Sequence, residues 1–152
     1  MDALVLLQRA LDDGDVRMSP CELHPDLAVI RDEPNGVMRI TYAVVSNGKV
    51  QVVVLFVLTD PIDGHPCLQL GCAVLEARRG KGLATQTVSK AIQELRNGLS
   101  RNGVQRFYIE AIVSTENTPS NKLAHRLLSD SPETGTDNLS GHPILQYSRL
   151  IV

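Results

Sequence analysis

Tryptophan is absent from this 152-residue chain, and aromatic residues make up only 3% of it. Stacking platforms for single-stranded nucleic acid need several aromatic faces, so that class of binder is not expected. Charge of one sign is lacking as well: 17 acidic residues against 15 basic leave a net charge of −2. This excludes a large basic footprint for nucleic acid, though not a local basic patch. No apolar run reaches the ~18 residues of a membrane-spanning helix. The start, Met1 to Arg9, lacks the basic flank and long apolar region of a signal peptide. Cysteine is scarce and odd in number. Cys21, Cys67 and Cys72 show no CxxC spacing, which argues against a disulfide framework and for buried thiols. His24, His65, His125 and His142 are scattered without HxxxH or HExxH, so no metal site is expected.

What is present is enough for a core. With 43% hydrophobic and 21% charged residues, residues 1–152 read as a single compact domain, soluble and cytoplasmic. Leu4, Leu7 and Leu11 form one helical stripe over residues 2–13, stopped by Asp12-Asp13-Gly14. Residues 15–35 are polar and contain proline, and the sequence leaves open a short helix or a substrate-facing loop. Val37 to Ser46 is rich in β-branched residues, and Asn47-Gly48 signals a tight hairpin. Gln51 to Leu58 is nearly all apolar, as in a strand covered on both faces. Asp60-Pro61, Asp63-Gly64 and His65-Pro66 mark the next reversal, and Cys67 to Leu75 is a third strand of an antiparallel meander.

After Gly80 and Gly82 the period turns helical, with Ala84, Val88, Ala91, Ile92, Leu95 and Leu99 on one face. Val104 to Val113 is a strand that puts Phe107, Ile109, Ala111 and Val113 on one side. Thr118-Pro119 opens a helix as N-cap and first helical residue. Ser129 to Gly141 reads as a polar loop, and Pro143 to Val152 as the last strand. That apolar strand either pairs across a homodimer or completes the sheet.

The stretch that carries chemistry runs from Val74 to Thr85, between a strand and a long helix. Glycines let a backbone approach a ligand closely, and a helix start offers unpaired N–H groups to an anion. Arg78, Arg79 and Lys81 add positive charge. In physical terms this is a cradle for phosphate or pyrophosphate. A Walker loop is ruled out because Gly82, not Ser or Thr, follows Lys81. A dinucleotide fingerprint would need a third small residue where Thr85 stands, and a parallel βαβ context.

Arg79-Gly80-Lys81-Gly82-Leu83-Ala84 resembles the Gln/Arg-x-x-Gly-x-Gly/Ala motif of the GNAT N-acetyltransferase superfamily. A second match lies in Tyr108-Ile109-Glu110-Ala111, Val113 and Asn117 to Ala124. It is similar to the strand and Asn-x-x-Ser helix start of the branch containing the ribosomal-protein N-terminal acetyltransferases. Together the matches span residues 37–128.

The resemblance implies a single α/β domain with a mixed, mostly antiparallel sheet, splayed central strands and flanking helices. It implies acetyl-coenzyme A as cosubstrate, with no metal. Arg79, Gly80, Lys81, Gly82, Leu83 and Ala84 would give backbone N–H groups to its pyrophosphate, with Thr85 as a hydroxyl contact. The Val74 N–H would face the acetyl carbonyl, and Asn117 and Ser120 would serve the pantetheine arm slotted between the splayed strands. On local chemistry alone, Asn117 and Ser120 also suit a helix cap.

Catalysis needs a neutral amine and a proton for the departing thiolate. Glu110 shares a strand face with Tyr108 and Ile112 and is the candidate base, although related peptide acetyltransferases carry the glutamate where Ile112 stands. The Tyr that many members place seven residues after the motif Asn is Ala124 here, which leaves His125 and Tyr147 as fallback proton donors. The resemblance implies a primary amine as acceptor, on a small molecule or a protein N-terminus. Two rivals remain open: a GNAT-like module that holds acyl-coenzyme A without turnover, and a phosphate or nucleotide binder.

Overall fold

A computed structural model describes residues 2–152. Helix α1 (Ala3–Asp12) starts where the Asp2 side chain accepts from the Leu4 N–H at 2.8 Å, and it stops at Gly14, whose φ of 73° is left-handed. Strands β1 (Ser19–Pro20), β2 (Ala28–Asp32), β3 (Arg39–Ser46), β4 (Lys49–Ile62) and β5 (His65–Val74) follow. Helix α2 (Leu83–Arg101), strand β6 (Phe107–Ser114), helix α3 (Thr118–Leu127) and strands β7 (Glu133–Thr136) and β8 (Pro143–Ile151) complete the chain. The hydrogen-bonded strand order is β1-β2-β3-β4-β5-β6-β8-β7, an open and mostly antiparallel sheet. No helix among the described residues is long and apolar enough to cross a membrane.

The chain forms two compact units. One comprises the residues up to Val57 with Gly71–Val104; the other comprises Leu58–Leu70 with Gln105–Val152. In the first unit, Leu4 of α1 is buried against Ala43, Val50 and Val53 of the β3–β4 hairpin. Gln8 pins the helix there, donating to the Gly48 carbonyl at 2.9 Å and accepting from the Val50 N–H at 2.8 Å. The hairpin turns on Asn47 and Gly48, both left-handed (φ 53° and 74°), the pair of angles its tight turn requires. Val50 to Val54 are all buried, so the apolar run from Gln51 is covered on both faces. Helix α2 buries Val88, Ala91, Ile92 and Leu95, together with Thr87 and Glu94.

In the second unit, β6 buries Phe107, Ile109, Ala111 and Val113 on one side. It pairs with β8 along its whole length and with β5 in parallel over three residue pairs, Cys67–Tyr108 to Gln69–Glu110. Beyond Gln69 and Glu110 that parallel ladder has no further rungs, which fits the splay expected of the central strands. Helix α3 packs on β6 and β8.

Four sequence expectations need correction. The polar stretch 15–35 carries β1 and β2; Ala28, Val29 and Ile30 pair with β3, and the register sets Asp32 beside Arg39, where the two side chains form a two-pronged ion pair at 2.9 and 2.6 Å. Strand β4 runs on through Asp60-Pro61 to Ile62, because only Asp63 and Gly64 have the left-handed angles for a reversal (φ 50° and 78°). The segment 129–141 holds β7, whose residues are exposed and which forms through backbone pairing with β8. Helix α3 is capped by Asn117 rather than Thr118, since its Oδ1 accepts from the Ser120 N–H at 3.2 Å. β8 lies between β6 and β7 and completes the sheet.

Candidate active site

The glycine loop belongs to the first unit. Val74 is the last residue of β5, and a 3-10 turn at Glu76–Arg78 leads into the loop. Gly80 and Gly82 have φ of 78° and 74°, a conformation that costs any residue with a Cβ roughly 1–2 kcal/mol. A Cβ at either position would meet no protein atom within 4 Å. These glycines therefore supply a backbone turn that faces open space, as a close ligand approach demands. Gly82 is also the N-cap of the 19-residue α2, with no side-chain cap bond. The first intrahelical bond there runs from the Gln86 N–H to the Gly82 carbonyl, so the amides of Leu83, Ala84 and Thr85 precede the helical ladder. Unpaired amides and the helix dipole together favour an anion.

The cations around this loop are anchored differently. Arg79 Nε donates to the Val74 carbonyl at 3.2 Å, and Arg78 Nε donates to Gln51 Oε1 at 2.9 Å, whereas Lys81 is exposed. Gln51 ties the loop once more, its carbonyl accepting from the Leu75 N–H at 2.8 Å, while its Nε2 is held within β4 by donating to the Lys49 carbonyl at 3.1 Å. Sequence reasoning missed Gln51, whose signal was a lone amide at the head of an apolar strand.

The remaining candidates lie in the second unit. Glu110 is half-buried on β6, and its carboxylate accepts from the Cys67 thiol at 3.6 Å. Burial, and secondly the neighbouring Glu110 charge, push that thiol up to about 12. Burial, then Glu94 and Asp26, do the same for Cys21. Thiolates would form only as the pH climbs toward that value, so at pH 8 about one thiol in ten thousand is ionised. Iodoacetamide at pH 8 should therefore leave Cys21 and Cys67 unmodified in the folded protein and label them after unfolding, as read by mass spectrometry. Cys72, contrary to the expectation of three buried thiols, is exposed, although its strand face also carries the buried Leu68 and Leu70.

Tyr147 on β8 is buried, and its hydroxyl donates to Asn121 Oδ1 at 2.7 Å. Asn117 and Ser120 stand at the start of α3 as cap and capped residue. His125 is exposed on α3, and Ala124 is buried where many members of the superfamily carry a tyrosine. Thr118, Asn121, Lys122 and His125 of α3, with Leu145 and Tyr147 of β8, line a cleft of about 400 Å³. Asn121 was not singled out in the sequence; its only signal was a place one helical turn after Asn117. Among the described residues, no cluster of three or more His, Cys, Asp or Glu is placed to hold a metal ion.

A search of curated proteins finds no match to this chain. Among solved structures, it is similar to a GNAT-family acetyltransferase from Streptococcus pneumoniae (17% identity, TM-score 0.57, covering 75% of this chain and 67% of that one). It is similar to NAA60 of Arabidopsis thaliana, solved with a bisubstrate analogue (15% identity, TM-score 0.57, 75% and 77% covered). A third is an acetyltransferase from Salmonella typhimurium that modifies the N-terminal serine of a ribosomal subunit protein (23% identity, TM-score 0.52). The alignment with it covers 75% of this chain but only 64% of that enzyme. Identities this low speak for the fold alone. The family model for the acetyltransferase (GNAT) family matches residues 8–128, most of the chain and all of the glycine loop, and the protein belongs to that family.

Proposed function

We propose that this protein transfers an acetyl group from acetyl-coenzyme A to a primary amine by direct attack. The observation that carries the reading is the pair of left-handed glycines, open to solvent, at the uncapped start of α2. The backbone amides of residues 80–85 receive the pyrophosphate, with Lys81 and the Thr85 hydroxyl beside them. The Arg79 N–H, expected to join them, is instead committed to the Glu76 carbonyl at 3.2 Å. The Val74 N–H stabilises the oxyanion that develops on the acetyl carbonyl, work suited to a fixed backbone donor. Asn117 Oδ1 is engaged by the cap, which leaves its Nδ2 and the Ser120 hydroxyl for the pantetheine arm.

Glu110 is assigned the amine proton. In the transfer, the amine nitrogen forms a bond to the acetyl carbon, the carbon–sulfur bond breaks, and the thiolate takes a proton from water. An α-amine needs less help than a lysine-like amine, with ordinary pKa values near 8 and 10.4 respectively. The ribosomal and N-terminal acetyltransferases of similar fold favour a protein N-terminus among the acceptor classes.

The test is thermal unfolding with and without acetyl-coenzyme A, followed by thiol release with a panel of amines. Ligand at 100 times its dissociation constant adds about 2.7 kcal/mol, a midpoint rise of several degrees. A rise with amine-dependent thiol release is the expected result. A rise without release from any amine would assign instead the acyl-coenzyme A module, which Ala124 in place of the tyrosine favours. No rise at saturation would overturn both.

A further inference from the structure

In the first unit, a cavity lies between the far half of α2 and strands β2 and β3. The strand register sets Val29 beside Tyr42 and Arg31 beside Ile40, so these four side chains share one face of the sheet. Helix α2 lines the same space with Glu94 and Leu95 and, one turn on, with Gly98 and Leu99. With Cys21 these residues bound a cavity of about 330 Å³, some twice the volume that holds a benzene ring. Gly98 helps to make that space: glycine is disfavoured in a helix interior, yet a Cβ there would meet no atom within 4 Å. At 1.5 Å of rise per residue, the cavity lies roughly 16–24 Å along α2 from the glycine loop.

Tyr42 decides what this space suits. The residue is only 4% exposed, and its ring is held edge-on to Phe56 with centroids 6.0 Å apart. Its hydroxyl makes no hydrogen bond to any described residue, whereas no fully enclosed side-chain oxygen among them lacks a partner. The hydroxyl therefore opens onto the cavity, and its partner has to come from there. Burial, and then Cys21 and Glu94, raise its pKa, so it stays a neutral phenol able to donate and to accept. The charges of the lining are spoken for. At the rim, Arg101 is bound to Glu22 at 2.5 Å, and Arg31 faces Glu33 at 3.9 Å. Inside, Glu94 repels an anion, and its oxygens are already committed to the Leu23 and His24 N–H groups. We propose that this cavity binds a neutral, mainly apolar small molecule of one or two rings, whose single hydroxyl shares a hydrogen bond with Tyr42. The site is separate from acetyl transfer and does not depend on it.

The experiment titrates the whole protein near neutral pH with 2-naphthol, naphthalene and 2-naphthoate, read by calorimetry. These probes share one ring system and differ in carrying a hydroxyl, nothing or a negative charge. 2-Naphthol should bind one-to-one and about five-fold more tightly than naphthalene, the ordinary effect of one hydrogen bond. 2-Naphthoate should bind more weakly than either. Tyr42→Phe should weaken 2-naphthol about five-fold, to the level of naphthalene, and leave naphthalene unchanged within about two-fold. Gly98→Leu places a side chain in the cavity and should abolish the binding of both.

Equal affinity for 2-naphthol and naphthalene, undiminished 2-naphthol affinity in Tyr42→Phe, or tightest binding of 2-naphthoate would overturn the proposal. So would binding that survives Gly98→Leu, or no saturable binding of any probe, which would leave the cavity to water. Tyr42→Phe keeps the ring against Phe56 and tests the hydroxyl even where Gly98→Leu lowers the unfolding midpoint. The midpoint rise with acetyl-coenzyme A is measured on each variant and should match that of the unaltered protein, so failure of the cavity assignment and failure of the acetyl-transfer reading are read separately.

Discussion

Gly82→Asp should abolish the rise in unfolding midpoint that acetyl-coenzyme A confers, and should lower kcat/KM for acetyl transfer at least ~100-fold, equivalent to roughly 2.7 kcal/mol of lost transition-state binding. Two effects act together. The position has φ 74° and ψ 7°, so any Cβ strains the turn, and aspartate is among the residues that tolerate it best. The new carboxylate would also sit in the space the glycine keeps open, beside amides that otherwise attract a diphosphate. Because that space holds no protein atom within 4 Å, the variant should fold with a loss of only about 1 kcal/mol. Gly82→Asn separates the effects: it keeps the same backbone tolerance and volume without the charge, and should retain a weakened response. Differential scanning fluorimetry with the ligand, beside a thiol-release assay, reads all three proteins. An undiminished midpoint rise in Gly82→Asp would remove the glycine loop from the binding site.

The largest stability effect is expected far from any proposed chemistry. Glu94→Ala should cost about 2–4 kcal/mol, lowering the unfolding midpoint by roughly 5–15 °C. Glu94 sits on the apolar face of α2 and is only 6% exposed. Its carboxylate accepts from the Leu23 N–H through both oxygens, at 3.1 and 3.0 Å, and from the His24 N–H at 2.6 Å. It thereby closes the turn in which the Cys21 N–H also reaches the Leu27 carbonyl at 2.9 Å. Alanine would leave two partly buried amides without acceptors, and unmet donors cost more than the net worth of the bonds they lose. Glu94→Gln keeps one oxygen and should recover about half of the loss. Chemical denaturation with acetyl-coenzyme A absent isolates the effect from binding; an unchanged midpoint in Glu94→Ala would show that water replaces the carboxylate at no cost.

Local signals were legible where one residue type answers one geometric demand. The Asn47-Gly48 turn, the apolar strand from Gln51, the alternation from Phe107 to Val113 and the glycines before α2 were each readable, because period, propensity and left-handed angles are properties of short segments. The elements that were not legible form through their neighbours. β7 has exposed residues and a polar sequence, and it exists because β8 offers backbone partners; β2 is anchored by β3 and by an ion pair across seven residues.

The functional groups divide along the same line. The chemistry proposed for the glycine loop rests on spacing and charge, since the donors it offers are backbone amides adjacent in the chain. The direction of the Tyr147 proton was not legible in this way, because it depends on Asn121, whose amide is turned by carbonyls at Ser114 and Asn117 and meets a strand 26 residues away. Hydrogen-bond polarity is a property of a closed network, and a network whose members come from β6, α3 and β8 closes only when those elements pack.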